Sequence, residues 1–239
     1  MPEGDTIHRI QARVAPILTG VTIERATTQG LIRNLAGRTV KSVEAHGKHL
    51  VIDLDDGTHV RVHLGMNGRF RLYGRAEGEA IVARTSPGRA SLVLATAEYL
   101  LLWLTAPTVD ISHRRAPRHG MAVASLGPDI LTDAFDAEQA ADAAVADPDR
   151  AIANVLLDQR VASGIGNVYK CEALFAAGVD PRTPAGDLDR AKRVQIYDLA
   201  RRQMVSNLGP GMRNTRALLA GTPRGDTQRY FVYSRSGKP

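Results

Sequence analysis

The opening residues Met1-Pro2-Glu3-Gly4-Asp5 set an imino acid, a carboxylate and a flexible hinge directly ahead of a helical pattern. Once the initiator methionine is removed, as is usual before a small second residue, Pro2 carries a free α-amine. The reference pKa of such an amine is about 8, so a useful fraction is neutral and nucleophilic near neutral pH. A secondary amine that condenses with an aldehyde-like carbon gives an iminium that must stay cationic. It draws electrons from the neighbouring carbon, so proton loss and elimination can follow. Glu3 is placed to move the protons. The same residues also read as turn-forming chain at a frayed terminus, and the rest of the sequence has to decide.

Lys48 is the next candidate. The segment Lys48 to Leu64 reads as a hairpin across Asp55-Asp56-Gly57. A three-residue loop with Gly57 left-handed pairs Ile52 with Val60 and Leu50 with Val62, whereas a two-residue turn at Asp56-Gly57 mixes the faces. In the first register Lys48 shares the buried face of Leu50 and Ile52, which suits an ammonium only where the sheet opens onto water or a ligand. A strand-end lysine snorkelling to solvent is the other reading. In His63-Leu64-Gly65-Met66-Asn67-Gly68-Arg69-Phe70-Arg71 a strand, a glycine-flanked turn and a basic strand follow one another. Met66 at the tip suits an apolar wedge entering a base stack, or else a gap filler in the core. Val161 to Asn167, reading VASGIGN, is a glycine-punctuated turn into a helix. Such a turn aims backbone amides and the Asn167 side chain at a phosphate, or simply joins two packed helices. Gly209 to Gly225 is a Pro/Gly-rich basic loop containing Arg213, Arg216 and Arg224, expected to be mobile and close to nucleic acid.

The elements that must carry these groups divide into a β half and a helical half. Asp5 is expected to cap a helix with Ile7, Ile10, Val14 and Ile17 at helical spacing, Pro16 as a kink or early end and Gly20 as the stop. Its positive end points back at Pro2 and Glu3, favouring a carboxylate anion and a neutral amine. From about Thr39 the pattern is β, with further runs at Ala80 to Val82, Ser91 to Ala95 and Tyr99 to Leu104, and Trp103 in the core. Ser125-Leu126-Gly127-Pro128-Asp129 signals a boundary. Beyond it, helices are expected over Ala137 to Ala146, Arg150 to Gln159 and Val168 to Ala177, the last closed by Gly178. A longer one covers Asp187 to Leu208 with Val194, Tyr197, Met204 and Leu208 on one face, and Arg229 to Ser234 is strand-like.

Composition narrows the class of partner. The 239 residues are 44% apolar, enough for a sizeable core, and Lys plus Arg exceed Asp plus Glu by 31 to 25. A net charge of +6 and a pI near 9.8 are the footprint of a polyanion binder, shared with basic proteins of other kinds. The single cysteine, Cys171, excludes an internal disulfide framework and a cysteine-rich zinc site within these residues. With no secretory signal pattern and no apolar run long enough to cross a bilayer, the expectation is a soluble intracellular protein.

Taken together and in order, PEGD, HGKHL around Lys48, HLGMNGRFR, LGPDIL and GIGNVYKCEAL resemble the family of formamidopyrimidine-DNA glycosylase and endonuclease VIII. The matches span nearly the whole chain, and PEGD is more similar to the endonuclease VIII branch. The resemblance implies an α+β protein: an N-terminal β-sandwich domain flanked by a helix over 1–125, and an all-α helix-two-turns-helix domain over 126–228. It implies further that damaged double-stranded DNA lies in the cleft between them, and the protein is expected to be a cytoplasmic, nucleoid-associated monomer of bacterial type with no membrane partner. It implies that Pro2 attacks C1′ to form a Schiff base, Glu3 donates the proton that helps open the sugar, and Lys48 contacts DNA and assists elimination. Asn167 matches a phosphate-binding asparagine, and Met66 a residue that fills the gap left by an extruded base, whose extrusion costs a few kcal/mol. The expected activity is that of a bifunctional glycosylase and abasic-site lyase on oxidised pyrimidines. An oxidised-purine glycosylase and a non-catalytic DNA-binding module are the alternatives.

Two departures qualify the resemblance. Relatives continue after a segment like YSRSGKP into a four-cysteine zinc finger, and 229–239 resembles only its start. The chain is therefore expected to be truncated or incomplete, to bind no zinc as a cofactor, and to grip DNA and excise lesions less well. Gly65 and Ser125 stand where some endonuclease VIII relatives carry Gln and Arg, and the Arg-Arg-Phe-Gly segment of the guanine-oxidation branch is not evident, so lesion preference does not transfer.

Overall fold

The computed structural model describes residues 1–113, 121–216 and 228–235. They form two compact units: Met1–Pro2 with Ile7–Ala124, and Glu3–Thr6 with the chain from Ser125 onward. The amino-terminal segment is thus shared between units, where an unbroken first domain over 1–125 was expected.

The first unit is a β-sandwich. β1 (Arg25–Thr28), β2 (Leu31–Arg33), β6 (Arg69–Gly74), β7 (Ala90–Ala95) and β8 (Tyr99–Leu104) make an antiparallel sheet in the order β2-β1-β7-β8-β6. β3 (Val40–His46), β4 (His49–Leu54), β5 (Thr58–His63) and β9 (Thr108–His113) make a second, in chain order. The alternation in β4 and β5 turns Leu50, Ile52, Leu54, Val60 and Val62 into a core shared with Leu92, Leu94, Leu101 and Trp103. Each such side chain contributes about 1.5–3 kcal/mol when fully buried. The expected register holds: Ile52 pairs with Val60 and Leu50 with Val62, across a turn in which Gly57 has φ +84°.

α1 (Gly4–Leu18) lays Ile7, Val14 and Leu18 on this core and continues through Pro16, which neither kinks it to a stop nor shortens it before Leu18. It begins at Gly4, so Asp5 lies in the first turn rather than at the cap. The expected strand at Ala80 to Val82 is instead part of α2 (Arg75–Ala83). Three apolar residues are too few to specify a strand, and the i,i+4 ion pair of Arg75 with Glu79 at 2.8 Å favours helix. Gly78 lets α2 lie close against β8, since a Cβ there would sit 2.5 Å from the Leu100 Cβ. With α2 on one side and the core on the other, β7 is buried at every position. A short α3 (Met121–Ala124) follows.

The second unit is helical. α4 (Ala137–Ala143), α5 (Ile152–Leu156), α6 (Asn167–Ala177) and α7 (Arg190–Val205) enclose Ile152, Val155, Ile165, Tyr169, Leu174, Ile196, Tyr197 and Met204. α4, α5 and α7 are shorter than their sequence patterns, and side-chain caps fix where α4 and α7 begin. Asp136 accepts from the amides of Glu138 and Gln139, and Asp189 accepts from that of Lys192. Gly178, at φ +67°, closes α6 as expected. On α7 the buried face also carries Arg193, whose guanidinium is spent on the carbonyls of Ala141, Ala185 and Leu188.

Candidate active site

Glu3 immediately precedes α1 and is buried. Its carboxylate accepts from the amides of Gly166 at 3.0 Å, Val168 at 2.7 Å and Tyr169 at 3.4 Å, the first turn of α6. Helix N-termini leave such amides without internal partners and carry partial positive charge, so they are natural donors to a carboxylate. Glu3 is held by the start of α6, a partner that the sequence did not suggest, and of the VASGIGN amides expected to face a phosphate, that of Gly166 is taken up by Glu3. Glycine makes the approach possible: a Cβ on Gly166 would lie 2.4 Å from the Glu3 Cδ, and one on Gly4 would lie 2.9 Å from the Gly164 Cα. The Gly4 amide donates to the Gly164 carbonyl at 3.0 Å. Pro2, one residue upstream, is half-buried.

Asp5 is buried too, and sequence reasoning did not place it in the site. Its carboxylate accepts from the Tyr169 hydroxyl at 3.0 Å and from Arg213 Nε at 2.8 Å, and Arg213 Nη2 donates to Thr6 Oγ1 at 3.0 Å. Burial, and then the charge of Asp5, push the Tyr169 phenol well above its ordinary range, so it remains an O–H donor. Burial opposes the charge on Arg213, but the Asp5 carboxylate outweighs it and holds the guanidinium pKa above its usual value. Arg213 is therefore not the mobile phosphate contact expected of the basic loop. Arg216 lies over the Phe231 ring and bonds Gln228, while Arg224 and the Gly237-Lys238-Pro239 end fall outside the described residues.

Asn167 opens α6, half-buried, with its Oδ1 accepting from Lys170 Nζ at 2.9 Å. That leaves the Nδ2 group as the donor suited to an anion. The expected strand at Arg229 to Ser234 does not form. The amides of Phe231, Val232 and Tyr233 turn instead onto the buried Glu172 carboxylate at 2.8, 2.9 and 2.9 Å, removing the donors that a ladder would need.

In the sandwich, Lys48 lies not within a strand but in the two-residue turn Gly47-Lys48 between β3 and β4, half-buried. Beside it stand His49 and His63, directly paired across β4 and β5 with ring centroids 4.8 Å apart. Burial, then His63, Arg61, His46 and Lys48, lower the His49 pKa to about 4. Burial, then Lys48 and Arg61, lower that of His63. The Gly65 amide donates to His63 Nδ1 at 3.3 Å, so the neutral ring carries its proton on Nε2 and presents a donor. These histidines were missed, although the register that pairs Leu50 with Val62 already sets His49 opposite His63. Met66 is 72% exposed, which rules out a gap-filling role in the core. Its turn is fixed by the bonds from the Gly68 amide to the Leu64 carbonyl at 2.9 Å and from Thr105 Oγ1 to the Asn67 carbonyl at 3.1 Å.

No group of three His, Cys, Asp or Glu among the described residues is placed to hold a metal ion. One cysteine in 239 residues does not furnish a four-cysteine zinc site. Among the described residues no helix is long and apolar enough to cross a membrane.

Residues 1–105 match the formamidopyrimidine-DNA glycosylase N-terminal domain and residues 126–214 the formamidopyrimidine-DNA glycosylase H2TH domain. A probable endonuclease 8 of Streptomyces coelicolor is 36% identical over 245 residues, covering 100% of this chain and 83% of its own. The chain belongs to the formamidopyrimidine-DNA glycosylase and endonuclease VIII family. Another relative, the DNA-(apurinic or apyrimidinic site) lyase Nei2 of Mycolicibacterium smegmatis, is 35% identical over 242 residues, 100% of this chain and 89% of its own. The crystal structure of the formamidopyrimidine-DNA glycosylase MutM of Thermus thermophilus matches with a TM-score of 0.74 at 25% identity, over 98% of this chain and 88% of that one. The two matched ranges largely follow the sandwich and the helical unit, except that Glu3 belongs to the helical one.

Proposed function

We infer that the protein is a base-excision repair DNA glycosylase with abasic-site lyase activity, acting as a monomer on damaged double-stranded DNA through Pro2 and Glu3. The observation that carries this reading is a buried carboxylate, fixed by three amides, directly following the imino acid. A frayed terminus has no such anchor. The neutral Pro2 nitrogen attacks C1′, and the base departs with the electron pair of the glycosidic bond and takes up a proton. With its oxygens on amides, Glu3 is an acceptor at rest. It takes the proton that the Pro2 nitrogen loses on bonding carbon and passes it to O4′ as the ring opens, leaving an iminium. Loss of a C2′ proton then expels the 3′ phosphate, and water releases Pro2.

Lys48 and His63 Nε2–H supply donors for phosphate, Asn167 Nδ2 supplies another, and the exposed Met66 enters the stack vacated by the extruded nucleotide. The PEGD opening and the names of the two relatives favour the endonuclease VIII branch, for which oxidised pyrimidines are the lesions expected. Borohydride reduction on abasic-site duplex, with removal of Met1 confirmed by mass spectrometry, tests the reading. The expected result is a covalent adduct lost in Pro2→Gly and blocked by an amino-terminal tag. Salt-sensitive binding with no adduct would identify a DNA-binding module instead. A panel of duplexes carrying oxidised pyrimidines or purines tests the lesion class.

A further inference from the structure

We propose that the buried cluster of Asp5, Arg213 and Tyr169 is a clamp that positions Glu3–Thr6 for the chemistry, which makes Asp5 and Arg213 positioning residues of the reaction. The proposal rests on the function inferred above and adds to it a role for the chain beyond α7.

Four successive residues are each tied to the helical unit. Glu3 is held by three amides, Gly4 bonds the Gly164 carbonyl, Asp5 takes a two-pronged grip from Arg213, and Thr6 Oγ1 accepts from the same guanidinium. Tyr169 links two of these ties: its amide donates to Glu3 and its hydroxyl to Asp5. One residue of α6 therefore sets the register of both carboxylates. Arg213 is itself braced. Its guanidinium carbon stands 5.0 Å over the Tyr169 ring, and the next residue, Asn214, exchanges bonds with Asn207 at 2.7 and 3.0 Å.

The cost of this arrangement is informative. The side chains of Asp5 and Arg213 are only 1% and 10% exposed. Removing two charges from water is expensive, and apolar residues of similar volume often give equal or greater stability. What a bidentate carboxylate–guanidinium pair adds is fixed geometry. A catalytic group displaced by about 1 Å can lose a factor of ~10² in rate, so geometry at residues 3–6 has a direct chemical return.

The test compares Arg213→Gln, Arg213→Lys, Asp5→Asn and the double variant Asp5→Asn/Arg213→Gln, each with a free Pro2 confirmed by mass spectrometry. Single-turnover borohydride trapping is measured at saturating enzyme, alongside affinity for abasic-site duplex and thermal melting. The clamp predicts that Arg213→Gln lowers the saturating trapping rate by about 10²-fold with affinity unchanged, and that Arg213→Lys recovers part of it. In the double variant, which leaves no unpaired buried charge, melting recovers but the rate does not. A saturating rate equal to wild type in folded Arg213→Gln overturns the proposal, as does weakened affinity with an unchanged rate, which marks a phosphate contact. Recovery of rate together with melting in the double variant overturns it as well. An absent adduct in the wild-type protein counts against the functional reading itself and is read separately.

Discussion

Glu3 and Glu172 are both buried in the helical unit, and each carboxylate accepts from three backbone amides: Gly166, Val168 and Tyr169 for one, Phe231, Val232 and Tyr233 for the other. The donors differ in kind. Those of Glu3 belong to the first turn of α6, a helix end already fixed by its own ladder, so there the backbone positions the side chain. Those of Glu172 lie in a stretch without regular structure, joined by the Thr215 hydroxyl, so there the side chain gathers the backbone. The same satisfaction of a buried carboxylate thus fixes the group proposed to move protons in one place and a chain segment in the other.

The contrast is broken most severely by Glu3→Gln. Single-turnover base release is expected to fall about 10²–10⁴-fold, the usual scale for a lost proton-transfer group. Gly166→Ala removes neither carboxylate but sets a Cβ 2.4 Å from the Glu3 Cδ. It should cost about 10²-fold in the same assay by displacing Glu3. Glu172→Gln should act on folding instead. Denaturant titration should show a loss of about 3 kcal/mol, from amides left with a weaker acceptor, while the rate per folded molecule at saturation stays near wild type. Equal chemical losses in Glu3→Gln and Glu172→Gln would erase the distinction. The smallest expected effect lies in the sandwich. His49 has its pKa lowered from 6.5 to about 4, so as pH falls through this window the unfolded chain takes up the proton first. Its contribution to stability is present above 6.5 and lost toward 4, and His49→Gln should flatten that part of the profile of melting temperature against pH.

What could be read in advance follows the range of the interactions. The β4–β5 register was legible because Gly57 and the alternation of Leu50, Ile52, Val60 and Val62 are local signals. α6 was legible from its glycine-bounded ends. The adjacency of Pro2 and Glu3 is likewise local, whereas the burial of Glu3 is not. The amides that hold Glu3 lie more than 160 residues away in sequence, and the partner of Arg213 lies 208 away, so no spacing rule relates them. Arg213 in a Pro/Gly-rich loop carries every local mark of a solvated phosphate contact, and only its burial against Asp5 shows otherwise. Arg229 to Ser234 failed as a strand for a similar reason, since its amides are claimed by Glu172, a residue inside another element.

The most direct test of the account is the location of the covalent bond. Abasic-site duplex reduced with borohydride in the presence of the protein, digested and sequenced by tandem mass spectrometry, should carry the sugar remnant on the nitrogen of Pro2. A remnant found on Lys48 or Lys170, with Pro2 unmodified, would contradict it.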